Sequence, residues 1–260
     1  MLDARFVLGR QAAREAGSLL RAKLGTQISV RSKDVRSNLV TEADTQSESL
    51  IRSIIAAQFP DDAVLGEEAG QSGKSSGHRW IVDPLDGTTN FAHGYRCFCV
   101  SIAFEHEGVV EFGVIFDPMA EEEFTARRGQ GASCNGSTLH VSDQDELRDA
   151  LLATGFPAHR VGELQGNLYP FADFAMNAQA LRRDGSAALD LCYVAAGRFD
   201  GFWEPALHAW DIAAGALIVQ EAGGRVTDYR GAPRLLEGAQ LVASNGKIHK
   251  AMLAVLQNYA

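Results

Sequence analysis

Apolar residues recur at Phe6, Leu8, Ala12, Ala16, Leu19 and Leu20, the spacing of an amphipathic helix, which predicts a helix over 2–24 with Gly25 as its stop. Residues 28–30 and 39–41 are short strand-like runs. A second helix over 43–59 gathers Ser47, Leu50, Ile51, Ile54 and Ile55 on one face and ends at Pro60. Residues 63–65 form a short strand that delivers Gly66-Glu67-Glu68, and the Gly- and Ser-rich stretch 69–77 reads as a mobile loop. The runs 80–82, 97–104, 108–116 and 122–126 then predict strands of an antiparallel meander, with turn chemistry at Glu107-Gly108 and Cys134-Asn135-Gly136. The remainder alternates: strands at 151–154, 199–203 and 240–243, and helices at 170–179, 187–196, 209–221 and 247–257. Mixed α/β layers are the expected architecture. With no internal repeat and no long linker, residues 1–260 are expected to form one catalytic unit, with approximate halves 1–146 (α+β, carrying the meander) and 147–260 (α/β).

The 260 residues suffice for a full core, and 46% hydrophobic with 22% charged residues is ordinary for a soluble globular protein. A net charge of −9, without a long basic run, argues against direct nucleic-acid binding or a membrane-surface role. No apolar run spans a bilayer and the N-terminus lacks the pattern of a signal peptide. Cys97, Cys99, Cys134 and Cys192 show no metal-ligand spacing and read as free thiols, so a cytoplasmic location is expected.

The chemistry starts where apolar runs end in acids. Trp80-Ile81-Val82 runs into Asp83-Pro84-Leu85-Asp86, which places two carboxylates at the edge of a core, a costly arrangement unless something neutralises them. A hard divalent cation takes such oxygen ligands. Gly87-Thr88-Thr89 follows like the start of a helix, whose free N–H groups suit an anion. Asp44, Glu67, Glu68, Glu204 and Asp211 stand in the same kind of position after apolar residues. Singly each is as well explained by a helix cap or a surface ion pair, and Asp44 in particular by its own helix turn. Together they suggest metal-assisted phosphate chemistry.

Trp80-Ile81-Val82-Asp83-Pro84-Leu85-Asp86-Gly87-Thr88-Thr89-Asn90-Phe91 resembles the first signature of the inositol monophosphatase family, and Trp210-Asp211-Ile212-Ala213-Ala214-Gly215 resembles the second. Leu39-Val40-Thr41-Glu42-Ala43-Asp44, Gly66-Glu67-Glu68, Gly185-Ser186-Ala187-Ala188 and Gly201-Phe202-Trp203-Glu204 match it in the same order, over nearly the whole chain. The resemblance implies the layered αβαβα sandwich of the sugar phosphatases and Mg²⁺-dependent, lithium-sensitive hydrolysis of a phosphomonoester, with two or three ions per site. It implies that Glu67, Asp83 and the carbonyl of Leu85 hold a first Mg²⁺, and that Asp83, Asp86 and Asp211 hold a second. Glu67 and Thr88 would orient the attacking water, with Asp44 supporting Thr88. Gly87 and Thr88 would receive the phosphate, and Gly185, Ser186, Ala187 and Glu204 would contact the hydroxyl-bearing ring, with Asp86 and Asp211 also facing the substrate.

Inositol 1-phosphate is the leading substrate on this resemblance. Histidinol phosphate, fructose 1,6-bisphosphate, a 3′-phosphoadenosine nucleotide and NADP are alternatives on the same fold. A homodimer is expected. A role as an accessory factor in transcription or ribosomal RNA processing is the non-enzymatic alternative. Lys33 matches a basic residue near the family site, and Glu68 is either an outer-layer group or a turn cap. His208 suggests acid–base work that the family does not need. His78, His93, His106, His140, His159 and His249 lack transition-metal spacing. Arg182-Arg183 reads as surface or interface, and Trp203 and Trp210 as packing residues beside the acids. Two positions depart from the family pattern. Asn38 replaces a common aspartate, and Asp184 stands where an apolar residue is usual, adding an anion that disfavours a second substrate phosphate.

Overall fold

Residues 2–26, 30–32, 39–73, 77–156, 166–233 and 240–259 are described by the computed structural model, and their helices and sheets stack in five layers. Helix α1 (Leu2–Lys23) buries Leu8, Ala12, Ala13, Ala16 and Leu20 along the predicted stripe. Strands β1 (Val30–Ser32) and β2 (Leu39–Thr41) pair as an antiparallel ribbon. Helix α2 (Glu42–Gln58) follows directly, because Thr41 caps it: the Asp44 carboxylate accepts the Thr41 N–H at 2.8 Å while the Thr41 hydroxyl accepts from Ala43 at 3.1 Å.

Strands β3 (Ala63–Gly66), β4 (Gly70–Ser72) and β5 (His78–Asp86) open an eight-stranded sheet. A short helix α3 (Thr88–Ala92) separates them from β6 (Cys99–His106), β7 (Val109–Asp117), β8 (Glu122–Arg127), β9 (Ala132–Cys134) and β10 (Ser137–Thr138). The order is β10-β9-β8-β7-β6-β5-β3-β4, and only β3 and β5 run parallel. The expected meander is therefore present, running from β5 to β8. The 69–77 stretch, expected as a loop, instead contributes β4, held antiparallel to β3.

The second half supplies β11 (Leu151–Thr154), α4 (Leu168–Asn177), β12 (Ala180–Arg182), α5 (Ala187–Ala195), β13 (Gly201–Pro205), α6 (Ala209–Glu221), β14 (Arg225–Thr227), β15 (Gln240–Ser244) and α7 (His249–Leu256). Its sheet runs β12-β11-β13-β15-β14, parallel across β12, β11 and β13 and antiparallel beyond.

Side-chain alternation sorts these elements into layers. In β5, Trp80 and Val82 pack with α1 and α2, whereas Ile81 packs with α5 and α6. In the other sheet Ala153, Phe202 and Ala243 face α5 and α6, while Leu152, Trp203 and Val242 face α4 and α7. Both sheets are thus covered on both faces, which is why their strands read as unbroken apolar runs. The order is helix, sheet, helix, sheet, helix, the layered sandwich that the resemblance implies. No helix among the described residues is long and apolar enough to cross a membrane.

One buried histidine ties the last layer together. His249 lies between Thr227 (Oγ1 to Nε2, 3.0 Å) and Ser244 (Oγ to Nδ1, 2.8 Å). The Thr227 hydroxyl already donates to the Asp228 carbonyl, so His249 is satisfied as the neutral ring with its proton on Nε2. Burial, and secondarily the charge of Arg225, push its pKa down to about 4. The unfolded chain therefore takes up this proton near pH 6.5 while the folded chain refuses it. The contribution is complete above pH 6.5 and is lost as pH falls towards 4, about 3 kcal/mol in all. Urea midpoints at pH 7.5 and 4.5 are expected to differ less in His249→Gln than in the wild type, and equal differences would refute the assignment.

Candidate active site

The site forms where β3 ends beside its parallel partner β5, which runs on to Asp86. Gly66 is level with Val82, so Glu67 emerges next to Asp83. A regular strand would then send Asp86 to the opposite face from Asp83. Across β6, however, Asp83 pairs with Ser101 and Asp86 with Cys99, three steps on one strand against two on the other. This bulge carries Pro84, whose missing N–H costs nothing there, and the extra residue brings both carboxylates to one side. The Ser47 hydroxyl holds the Pro84 carbonyl at 2.8 Å. Gly87 then turns the chain with φ of +94°, and a Cβ there would stand 2.8 Å from the Cys97 carbonyl, so only glycine fits.

Asp83 is 2% exposed. Its burial first, then the charges of Glu67, Asp86 and Asp211, drive its pKa far above the usual carboxylate range. Its Oδ1 accepts the Leu85 N–H at 3.0 Å. Asp86 is raised to about 6, chiefly by burial, although Ser186 Oγ and the Ala188 N–H each reach its Oδ2 at 2.7 Å. The Asp211 carboxylate, in the first turn of α6, accepts the His208 N–H at 2.6 Å. The Thr88 hydroxyl lies 2.9 Å from Asp44 Oδ1 and 3.1 Å from the Leu85 carbonyl, with one proton for two acceptors. Asp44 is thus both the helix support and the partner of Thr88, and burial with the nearby Glu67 charge raises its pKa.

Glu204, at the end of β13, stands over Gly155 and is pushed to about 8 by burial, Asp211 and Asp86, against the pull of Arg183. Asn90 of α3 donates to the carbonyls of Cys97 and Asp184, both at 2.7 Å, which joins the segment after Gly87 to Gly185 and Ser186 at the start of α5. Glu67, Asp83, Asp86, Asp211, Thr88, Asp44, Gly185, Ser186, Ala187 and Glu204 are all gathered at this one place. Lys33, Asn38 and His159 lie outside the described residues.

The donor set suits a hard divalent cation: buried carboxylates that raise one another's pKa and a backbone carbonyl, with neither thiol nor imidazole required. As placed, several of these acids turn to internal N–H and O–H donors, and no three Asp, Glu, His or Cys side chains among the described residues converge as a finished ligand cluster.

Other residues take quieter roles. His208 is exposed and stacks on Trp210 at 4.7 Å. Trp203 packs on Phe174 and donates to Asn167 at 2.7 Å, facing away from Glu204. All four cysteines are free thiols, and Cys97 precedes β6 instead of starting it. Arg182 and Arg183 are exposed. Sequence reasoning missed Ser47, Glu48, Asn90 and Asp190. The last is 1% exposed with an unpartnered Oδ1, and burial, then the charges of Glu204, Asp184 and Asp86, drive its pKa well above the usual carboxylate range. A carboxylate on the buried stripe of α2, Glu48 with Ile51 and Ile55, was the one signal available.

A family model described as the inositol monophosphatase family matches residues 2–260. The chain is 46% identical to a Nus factor SuhB of Pseudomonas aeruginosa, over 95% of this chain and 93% of that one. It is 41% identical to an inositol-1-monophosphatase of Synechocystis sp., over 96% and 87%. Among solved structures, the extragenic suppressor protein suhB of Bartonella henselae superposes with a TM-score of 0.93 at 41% identity, covering 98% of each chain. An IMPase/NADP phosphatase complexed with Mg²⁺ and phosphate superposes at 0.82 with 27% identity, covering 93% of this chain and 90% of that one.

Proposed function

The chain belongs to the inositol monophosphatase family of Mg²⁺-dependent phosphatases, and we propose that it hydrolyses a small polyol phosphomonoester, inositol 1-phosphate first, in a single unit built from both halves of the chain. The observation that carries this reading is the knot of buried acids around Asp83, whose charges raise one another's pKa and which bound cations would neutralise. Glu67, Asp83 and the Leu85 carbonyl would hold one Mg²⁺, and Asp83, Asp86 and Asp211 a second. When bound, Mg²⁺ supplies charge compensation for the phosphoryl group and the leaving alkoxide, and acidifies water. Thr88, with Asp44 behind it and Glu67 beside it, would orient the water in line with the phosphorus, with direct attack and no phosphoenzyme. The N–H groups of Gly87 and Thr88 would receive phosphate oxygens.

Glu204, with Gly185, Ser186 and Ala187, would accept the substrate's ring hydroxyls. Asp184, joined to that segment through Asn90, repels a second phosphate, which favours a monophosphate over fructose 1,6-bisphosphate, a 3′-phosphoadenosine nucleotide or NADP. Glu204→Ala is expected to raise KM for inositol 1-phosphate about tenfold, the scale of one lost hydrogen bond, while leaving KM for p-nitrophenyl phosphate unchanged. Equal effects on both would remove Glu204 from the ring subsite. The reading as a whole is tested by phosphate release from inositol 1-phosphate, histidinol phosphate, fructose 1,6-bisphosphate, 3′-phosphoadenosine phosphate and NADP, with and without Mg²⁺ and Li⁺. A hundredfold preference for another substrate would change the substrate and spare the chemistry.

A second reading, an accessory role in transcription, draws on the Nus factor name of the Pseudomonas aeruginosa relative. With a net charge of −9, protein contacts are favoured over direct RNA contacts. Binding of purified RNA polymerase by Asp83→Asn as well as wild type would support it, and no binding by either would remove it.

A further inference from the structure

Glu48 is a carboxylate buried on the sheet-facing side of α2, 2% exposed, at a place where the site's chemistry does not require one. Its Oε2 accepts the Glu68 N–H at 2.8 Å, and its Oε1 accepts the Ala69 N–H at 3.0 Å and Arg52 Nε at 2.7 Å. Arg52 then reaches the other strand of the same hairpin, donating to the Gly70 carbonyl at 2.6 Å and to Ser72 Oγ at 2.5 Å, with the Val64 carbonyl at 3.3 Å. Gly66 completes the grip, since a Cβ there would stand 2.6 Å from the Glu48 carboxylate.

These contacts fall on both sides of Glu67: Gly66 before it, and the peptide N–H groups of residues 68 and 69 after it. We propose that Glu48 and Arg52 are positioning residues that fix the turn carrying Glu67 and thereby set how readily the site takes up Mg²⁺. The inference rests on the reading of Glu67 as a Mg²⁺ ligand. A carboxylate is needed at 48 because three donors converge on it. An amide offers one acceptor oxygen and turns its own N–H groups either towards the Glu68 N–H or towards the Ala69 N–H and Arg52 Nε. The buried charge is tolerated because Arg52 compensates it. Groups that orient a metal's ligands typically control affinity by ten- to a hundredfold.

The test compares wild type, Glu48→Gln and Arg52→Lys, each titrated with Mg²⁺ alone while thermal unfolding is followed, and in parallel assayed for phosphate release. In Glu48→Gln the Mg²⁺ concentration giving half of the thermal protection is expected to rise about tenfold or more. The concentration for half-maximal phosphate release should move with it, and turnover at saturating Mg²⁺ should fall by less. Arg52→Lys keeps the charge and loses the forked reach, so it should shift in the same direction, and it carries the comparison if Glu48→Gln does not fold. Variants that unfold more easily yet take up Mg²⁺ at the wild-type concentration would overturn the proposal and leave the phosphatase reading intact. A wild type that gains no stability from Mg²⁺ and releases no phosphate would refute the phosphatase reading and this proposal with it.

Discussion

Asp83→Asn is expected to lower kcat/KM by about 10³-fold or more while making the metal-free protein more stable. The loss follows from the place of Asp83 in the proposed site, where one carboxylate serves both ions. Forfeiting roughly 4 kcal/mol of transition-state stabilisation corresponds to three orders of magnitude. The gain follows from its surroundings. Burial and the charges of Glu67, Asp86 and Asp211 raise its folded pKa, so the folded chain binds protons that the unfolded chain has released. For an acid shifted upwards, stability falls as pH rises from the unfolded value near 3.8 through the folded one. Asp86, raised to about 6, adds the same slope over roughly pH 4 to 6. An asparagine at 83 removes one charge from the knot and lessens that slope. Urea midpoints in EDTA at pH 7.5 should therefore be higher for the variant, whereas in Mg²⁺ the order should reverse, because only the wild type gains by binding. A variant that is less stable in EDTA, or that retains normal turnover, would sink the assignment of Asp83 as the shared ligand.

Much of this site was legible because its acids end apolar runs. A carboxylate at the end of a covered strand has no solvated face to occupy: Glu67 directly follows β3 and Glu204 is next to last in β13, whereas Asp83 lies inside β5, which runs on to Asp86 beyond the end at Val82 that the apolar run predicts. The relation between Asp83 and Asp86 was not legible, since it depends on a one-residue bulge in the pairing with β6 and not on any local pattern. Strands β4, β12 and β14, three residues each, have no periodicity to read and exist through the partners beside them. Glu48 shows in the sequence only as a carboxylate on the apolar stripe of α2, with Ile51 and Ile55. Its function appears only when the hairpin from β3 to β4 closes over it. Asp190 is hidden for the same reason, in a helix packed on all sides. The pattern of apolar runs thus marks the acids gathered at the proposed site and leaves unmarked the residues that hold them.

Arg5→Ala is expected to cost about 3–5 kcal/mol, the scale of breaking a buried ion pair by removing one partner. Arg5 donates through Nε and Nη2 to the two oxygens of Asp62, both at 2.7 Å, and Trp80 Nε1 adds a third hydrogen bond at 3.0 Å. The guanidinium also lies 4.1 Å from the centre of the Phe59 ring. Both ionic side chains are under 10% exposed, so water cannot replace the lost partner. Burial works against the Asp62 carboxylate, but the hydrogen bonds from Arg5 and Trp80 and the charges of Arg5 and His78 outweigh it and hold its pKa below 3.8. For an acid shifted downwards, the stabilisation is full above the unfolded value and lost as pH falls through the folded one. The gap between wild type and Arg5→Ala should accordingly be widest near neutrality and narrow below about pH 3.8, as Asp62 takes up its proton. Arg5→Met combined with Asp62→Leu should recover most of the loss, because no charge is then stranded. The network joins α1 to Asp62, just before β3, and to Trp80, near the start of β5, behind the acids further along those strands. Turnover per folded molecule should therefore be unchanged where Asp83→Asn abolishes it. A cost below about 1 kcal/mol, the range of exposed pairs, would show that the pair is solvated in solution, and a fall in turnover per folded molecule would show that it supports the ends of β3 and β5 as well as the core.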